Sequence, residues 1–158
     1  MVTALVTAVV VLALGACGLT IPTDPDGTLE RVRGGTLRVG VSPNPPWTDL
    51  PDGTDADPTG TEAELVEEFA QHLDAEVEWE AGGEEELVTS LERGEIDLLI
   101  GGLTARTPWV DKVGTTYRYT VTYDAHGQEE QHVMAVPMGE NAFLVELEHF
   151  LLAQGLPR

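Results

Sequence analysis

The sequence predicts an α/β domain with a mostly parallel sheet and helices on both faces. Short apolar strands alternate with amphipathic helices between residues 36 and 101, an order typical of parallel sheets. The segment 96–101 is apolar at nearly every position, which indicates a central strand that is covered on both sides. Ligands of such sheets bind beyond the carboxyl ends of the strands, so we expect a site at 42–47 and 101–106.

The first strand is expected at 36–42, and a long loop rich in Pro, Asp and Gly follows it at 43–60. Helix periodicity then predicts a helix at 61–73. A reciprocal capping box, in which Thr61 and Glu64 each bond the other's main-chain amide, is expected at its start.

The second strand is expected at 76–80 and the second helix at 84–93, with Gly94 as the helix stop. The apolar segment 96–101 then supplies the third strand. These elements give a β-α-β-α-β alternation.

The C-terminal part is less regular. A turn or short helix is predicted at 107–112, a strand near 113–117, and a hairpin or loop at 118–130. Residues 132–136 are expected to return as a strand of the same sheet, and 141–154 to form a final helix with one apolar face.

The charge balance excludes one class of partner. The 158 residues carry 8 Lys and Arg against 28 Asp and Glu, a formal net charge of -20. A chain this acidic repels phosphate backbones, so no nucleic acid is expected as a partner. The acidity predicts a solvated, soluble surface or, alternatively, attraction of cationic ligands.

The N-terminal pattern predicts an export signal. An uncharged apolar run at 2–16 is short for a membrane span and ends in small residues before Cys17, the only cysteine. This context resembles the bacterial lipobox, which implies that residues 1–16 are a lipoprotein signal peptide and that Cys17 is lipidated. A plain cleaved signal and an uncleaved anchor are the alternatives. Residues 17–34 would then be a turn-rich tether.

Five motifs follow one another in a recognisable order. They are Gly35-Thr36-Leu37-Arg38-Val39-Gly40-Val41, Pro45-Pro46-Trp47, Pro58-Thr59-Gly60-Thr61-Glu62-Ala63-Glu64-Leu65-Val66, Leu91-Glu92-Arg93-Gly94-Glu95-Ile96-Asp97 and Gly101-Gly102-Leu103-Thr104. Together they resemble the family 3 extracellular solute-binding proteins, the polar amino-acid type that serve ABC importers. The segment 132–137 resembles that family's C-terminal return segment.

The resemblance implies a single lobe of a periplasmic-binding-protein-like type II fold. It would span residues 35–156, with the short segment 118–131 in place of the second lobe. Full-length members trap their ligand by closing two lobes around it. A lone lobe is therefore expected to bind solute weakly unless a partner or a second copy supplies the other wall.

The candidate ligand-binding residues lie at the predicted strand ends. Trp47 could stack on the apolar or cationic part of a ligand, as the resemblance implies, or fold back over the core edge. Gly101 and Gly102 could offer free amides and Thr104 a hydroxyl, although two glycines also suit a tight strand exit.

Two further residues bear on the choice of ligand. Amino-acid binders of the family usually carry an arginine a few residues after the position of Thr104, where it grips the ligand carboxylate. That position falls at Trp109 here, so the resemblance implies that this clamp is missing. Arg106 could substitute for it, or could be a solvated loop arginine.

Other polar residues have simpler interpretations. Glu64 is expected as a capping residue and Asp97 as a polar residue at a strand entrance. His126 and His132 fit no standard metal spacing, so neither a metal site nor a cofactor is expected.

Three functions remain at this stage. The first is an envelope lipoprotein, anchored to the membrane by its lipid, that binds an amino acid or another small polar solute and serves an ABC permease. The second is an interaction or sensory module that docks another envelope protein. The third is an enzyme, which the lack of a paired acid and base disfavours. A degenerate fragment is disfavoured by the agreement of local and global signals.

Overall fold

The computed structural model describes residues 23–51 and 57–157, which form a five-stranded sheet, a separate hairpin and four helices. The helices are α1 (Thr28–Val32), α2 (Thr61–His72), α3 (Glu84–Glu92) and α4 (Asn141–Ala153). The sheet contains β1 (Thr36–Val41), β2 (Glu76–Ala81), β3 (Leu98–Ile100), β4 (Gly114–Thr115) and β7 (Ala135–Val136). The hairpin pairs β5 (Thr120–Tyr123) with β6 (Glu129–His132).

The sheet order is β2-β1-β3-β7-β4, and its first half is parallel. β1 lies between β2 and β3 and runs parallel to both, whereas β7 is antiparallel to β3 and to β4. The predicted α/β fold with a mostly parallel sheet is confirmed. The carboxyl ends of β1, β2 and β3 meet at one edge, where the candidate site was expected.

Helices cover both faces of the sheet, as predicted. One core cluster joins the sheet to α1, α2 and α4, and contains Leu37, Val39, Val41, Phe69 and Phe143. The other joins the opposite face to α3, and contains Leu87, Leu91, Ile96 and Leu99. Close packing on the second face requires glycine at position 40, because a Cβ there would lie 2.6 Å from Ile96 Cδ1.

The domain begins earlier than the predicted tether allows. Residues 23–34 pack on the lobe: Val32 is fully buried in the first cluster, and Asp24 accepts two amides in the first turn of α4. Glu140 accepts two amides at the start of α1. The tether prediction therefore fails for this part of 17–34, because these long-range bonds build it into the domain. Residues 1–22, including Cys17, lie outside the described residues.

The start of α2 differs from the capping that the sequence predicted. Gly60 is the cap residue and no side chain caps the helix, so the box of Thr61 and Glu64 does not form. The amides of Thr61 and Glu62 instead bond the carbonyls of Pro46 and Trp47, at 3.3 and 3.0 Å. The loop after β1 thus satisfies the helix terminus and is fixed to it.

The segment 118–136 can be compared with the predicted hairpin or loop and the predicted return strand. The segment 118–130, expected as a hairpin or a loop, forms the hairpin of β5 and β6. The predicted return strand at 132–136 is shorter, because His132 still belongs to the hairpin and only Ala135–Val136 joins the sheet. Within residues 23–51 and 57–157, no helix has the length and hydropathy needed to cross a membrane.

Candidate functional site

A buried carboxylate lies at the carboxyl end of the sheet. Glu62, in the first turn of α2, accepts the amides of Gly101 and Gly102 at Oε2, both at 2.8 Å. The Tyr119 hydroxyl donates to Oε1 at 2.5 Å. No cation bonds this carboxylate among the described residues.

The protonation of this pair follows from its burial. Desolvation raises the pKa of Glu62, although the three hydrogen bonds act in the opposite direction. Burial and the adjacent Glu62 charge also raise the pKa of Tyr119. Tyr119 is therefore a neutral hydrogen-bond donor at neutral pH.

The loops after β1 and β3 are bonded to each other. The Asn44 side-chain amide donates to the carbonyl of Gly101 at 2.8 Å. The Thr48 hydroxyl donates to the carbonyl of Ser42 at 2.6 Å, and the Asn44 main-chain amide donates back to Thr48. These bonds hold the two strand-end loops in one arrangement.

Gly102 makes this close approach possible. Its φ of +65° lies in the left-handed region, and a Cβ there would be 2.5 Å from both Asn44 Nδ2 and Trp47 Cδ1. The glycine pair predicted at the strand end is therefore needed for backbone geometry. Its amides are not free for a ligand, because both donate to Glu62.

Trp47 lies against an aromatic group of the hairpin. Its indole centroid is 3.9 Å from that of the His132 imidazole, with the planes 34° apart, and Tyr119 meets it edge-on at 6.5 Å. Trp47 also packs on the first core cluster and is half-buried. It covers the core edge, one of the two roles proposed from the sequence, while part of its surface stays exposed at the strand ends. Its contact with ligand stays a prediction.

His132 is the buried partner of Trp47. Its side chain is bonded through Nε2 to the Thr122 hydroxyl at 2.8 Å, and Nδ1 has no hydrogen-bond partner within the described chain. Burial lowers the pKa of His132, while the nearby Glu130 charge acts to raise it. The ring is neutral at neutral pH.

Thr104 and Arg106 lie where β3 meets the hairpin. Thr104 bridges to His132, and its hydroxyl accepts the Arg106 amide at 3.4 Å. The Arg106 guanidinium donates to the main-chain carbonyl of Glu129 at 2.5 Å and is exposed. The substitute carboxylate clamp considered for Arg106 stays untested, but this guanidinium is bonded to the hairpin.

Trp109 lies on the other face of the sheet from Trp47. It packs on the second core cluster, and its Nε1 donates to the Glu84 carboxylate at 3.0 Å. Lys112 lies 5.9 Å from the ring centroid. The structure thus brings Trp47, Gly101, Gly102 and Thr104 together and places Trp109 at the start of α3.

The remaining sequence candidates lie away from this cluster. Asp97 accepts bonds from the side chains of Arg31 and Arg38 at the amino end of β3. Glu64 is exposed on α2, and His126 lies in the hairpin turn. Across the described ranges, no group of three His, Cys, Asp or Glu could hold a metal ion.

Sequence reasoning missed several residues of the cluster. Asn44, Glu62 and Tyr119 were not singled out, and His132 was considered only as a metal ligand. Glu62 lies inside the quoted motif 58–66 and could have been found there, as the acidic residue two positions after Gly60. Tyr119 carries no local signal, because its partner is 57 positions away.

Known proteins with a similar sequence or structure include solute-binding proteins. Residues 37–152 match the profile of the bacterial extracellular solute-binding proteins, family 3. The arginine-bound form of domain 1 from TmArgBP superposes with a TM-score of 0.65 at 25% identity, covering 78% of this chain and 97% of that chain. An ancestral cationic amino acid solute binding protein shares the fold, with a TM-score of 0.67 at 15% identity over 82% of this chain and 93% of that chain.

One relative that is similar in sequence is a protein of another kind. Membrane-bound lytic murein transglycosylase F of Vibrio cholerae is 36% identical over 96 residues, which are 59% of this chain and 17% of the transglycosylase. The chain therefore spans about a sixth of the length of this relative.

Proposed function

Because this chain belongs to the bacterial extracellular solute-binding proteins, family 3, we propose that it binds a small polar solute such as an amino acid at the carboxyl end of its sheet. Proteins of this family act outside the cytoplasm. The observation that carries the proposal is the half-exposed Trp47, fixed on His132 beside the Gly101-Gly102 turn. A rigid aromatic surface next to strand-end loops is a suitable platform for a small ligand.

A single lobe is expected to bind weakly. Small-molecule sites usually bury 70–90% of the ligand surface, which one open wall does not achieve. The arginine-bound domain 1 of TmArgBP, which this chain matches at 25% identity, supports binding by one lobe of this architecture. We expect micromolar or weaker affinity for the monomer.

Calorimetry tests this function. The purified chain is titrated with amino acids, amines and organic acids, alongside the Trp47→Leu and Trp79→Leu variants. Trp79 is the matched control, because it is also a partly buried tryptophan packed on the first core cluster but lies in β2. We expect Trp47→Leu to abolish binding and Trp79→Leu to retain it. Equal losses would contradict the site, and submicromolar binding by a monomer would contradict the expected weakness.

The proposal includes a role in transport from a lipid-anchored position. Cys17 would carry the lipid that holds the lobe on the outer face of the cytoplasmic membrane, where a bound solute could be passed to an ABC permease. Two acyl chains give stable anchoring where one does not. Metabolic labelling with palmitate should mark the wild-type chain, and Cys17→Ser should abolish the label. Labelling of that variant would contradict the anchor.

A second candidate is an interaction or sensory module outside transport. It is favoured by the 36% identity to part of a membrane-bound lytic murein transglycosylase, a protein whose name denotes another activity. The family itself is a solute-binding one, so no catalytic step is proposed. Genes for a permease and an ATPase beside this one would favour transport, whereas a neighbouring sensor kinase would favour the module.

A further inference from the structure

We propose that this strand-end site selects an organic cation, an amine or a guanidinium, and needs no carboxylate on its ligand. The inference rests on the proposed function and adds the class of solute. In the described part of the strand-end loops, the amides of the glycine pair are already bonded within the protein, and glutamates lie on the neighbouring elements α3 and β6.

The main-chain amides of the glycine pair are occupied by an internal partner. A carboxylate that loses water must regain hydrogen bonds from the protein, and amides at a strand end are a common source. Here the amides of Gly101 and Gly102 both donate to the carboxyl group of Glu62. Glu62 is itself buried. A ligand carboxylate would have to displace an internal carboxylate to use them.

Three side chains near the strand ends also donate to groups of the protein. Asn44 donates to the Gly101 carbonyl, Arg106 to the Glu129 carbonyl, and Trp109 to the Glu84 carboxylate. The hydroxyls of Ser42 and Thr104 remain. The Nδ1 atom of His132 and the other N–H groups of Arg106 remain as well. A neutral hydroxyl can accept from an amine as well as donate to an anion.

The charges near these loops favour a cation. Glu84 begins α3 just beyond the carboxyl end of β2, and Glu129 and Glu130 lie in β6 next to His132. The formal charge of the whole chain is -20. His132 adds no positive charge at neutral pH, because burial lowers its pKa.

Two further cations of the described chain make contacts of their own. Lys112 is 3.5 Å from Glu92 and lies over the Trp109 ring. Arg118 lies 5.6 Å from the Tyr117 ring, although its Nε is buried without a hydrogen bond. Arg106, whose other N–H groups are not bonded within the described chain, and Arg118 are therefore residues that could still bind an anion, and the experiment includes both.

The partly exposed indole of Trp47 also favours a cation. An amine or guanidinium beside an indole gains a cation–π attraction, which a carboxylate does not. The same indole can pack against the methylene chain that usually carries such a group. The expected ligand is thus an alkyl amine or guanidine.

Paired ligands provide the test. The full-length protein is titrated at low salt with arginine and with agmatine, which is arginine without its carboxylate. We expect agmatine to bind about fivefold more tightly, the effect of one like charge at several ångströms in a wet site. Putrescine should compete with agmatine, and succinate should not.

Variants locate the effect. Glu84→Gln and Glu130→Gln should each weaken agmatine binding about threefold, with the difference lost in high salt. Glu68→Gln, on the exposed face of α2, removes the same charge elsewhere and should change nothing. Arg106→Gln and Arg118→Gln should each leave the preference for agmatine over arginine unaltered.

Each other outcome overturns the inference. Tighter binding of arginine than of agmatine, or arginine binding that disappears in Arg106→Gln or Arg118→Gln, would show that the site recognises a carboxylate, and the solute-binding function would stand. Binding of succinate would do the same. If no compound of the panel binds, the proposed function falls together with the inference.

Discussion

Glu62 and Asp97 are both almost fully buried, at opposite ends of the same sheet, but their carboxylates are held by different chemistry. Asp97, at the amino end, is bonded by the guanidinium groups of Arg31 and Arg38, with shortest distances of 2.5 and 2.6 Å. Glu62, at the carboxyl end, is bonded only by amides and a hydroxyl within the described chain.

The difference reverses the effect on protonation. Desolvation acts to raise the pKa of Asp97, but the hydrogen bonds from Arg38 and Arg31 outweigh it, so the pKa is lowered. Desolvation dominates at Glu62, whose pKa is raised. Burial alone therefore does not decide the state of a carboxyl group. The presence of a cation partner does.

The different bonding of the two carboxylates also distinguishes the amino end of the sheet, which is structural, from the carboxyl end, which is the candidate binding end. At the amino end, the Asp97 group connects α1, β1 and the start of β3 by ion pairs. At the carboxyl end, neutral amides and hydroxyls bond Glu62 and join the loops, and the exposed Arg106 donates to a main-chain carbonyl, so the described residues form no ion pair there. This arrangement is the one expected if a cation is to bind there.

Asp97→Asn should give the largest loss of stability. The substitution removes the charge that two arginines share, and it leaves a buried amide among donors. Breaking a buried pair typically costs 3–5 kcal/mol, and the arginines are 43% and 30% exposed, so we expect a loss of about 3 kcal/mol in the free energy of unfolding. Urea denaturation measures it.

A surface pair is the control for Asp97. Glu92→Gln breaks an exposed contact with Lys112 at 3.5 Å and should cost less than about 0.5 kcal/mol. Because the pKa of Asp97 is lowered on folding, its contribution should be present above pH of about 4 and be lost as the pH falls through the folded-state pKa. A gap between wild type and Asp97→Asn that widens in acid would contradict this account.

Glu62 should respond more mildly and with the opposite dependence on pH. Glu62→Ala leaves two amides and the Tyr119 hydroxyl without partners, so we expect a loss of about 2–3 kcal/mol. Glu62→Gln keeps an acceptor for the amides and can donate to the tyrosine oxygen, so the expected loss is about 1 kcal/mol or less.

The pH dependence tests the absence of a cation. A carboxyl group whose pKa is raised on folding binds protons more readily in the folded state. The stability of the wild type relative to Glu62→Gln should therefore increase as the pH falls from above the folded-state pKa towards about 4.3, the unfolded value. A decrease over that range would mean that Glu62 has a cationic partner.

Periodicity predicted the elements of this fold well. The helix expected at 61–73 is Thr61–His72, and that at 84–93 is Glu84–Glu92, because apolar spacing and a terminal glycine are local signals. The helix α1 was missed, since five residues with few apolar positions carry no periodic signal.

The candidate site was predicted only in outline. Trp47 and the glycine pair were expected at the strand ends from the order of the elements. Glu62 was not, because a glutamate in a first helical turn has an adequate local role, and its bonds to Gly101 and Gly102 span 39 and 40 positions. Such contacts exist only after the sheet has assembled.

Gly102→Ala should disturb the carboxyl end without touching Glu62 directly. The new Cβ would meet Asn44 Nδ2 and Trp47 Cδ1 at 2.5 Å, and alanine disfavours the φ of +65°. We expect a loss of about 1–3 kcal/mol in stability, together with a shift in tryptophan fluorescence. Gly127→Ala, in the hairpin turn at φ +75° with nothing within 4 Å, isolates the backbone cost from the clash. Equal losses in the two variants would mean that Trp47 and Asn44 move aside freely.

The smallest effect is expected at His132, the titratable group stacked on Trp47. Burial lowers its pKa, so the unfolded chain takes up a proton first, and stability should fall as the pH drops from about 6.5 towards the folded-state pKa. An imidazolium 3.9 Å from the indole would also quench its emission. Fluorescence of the wild type should therefore decrease with a midpoint below 6.5, and His132→Gln should abolish that transition. A midpoint above 6.5 would instead mean that the charge of Glu130 outweighs burial, and that this end of the sheet can itself hold a cation.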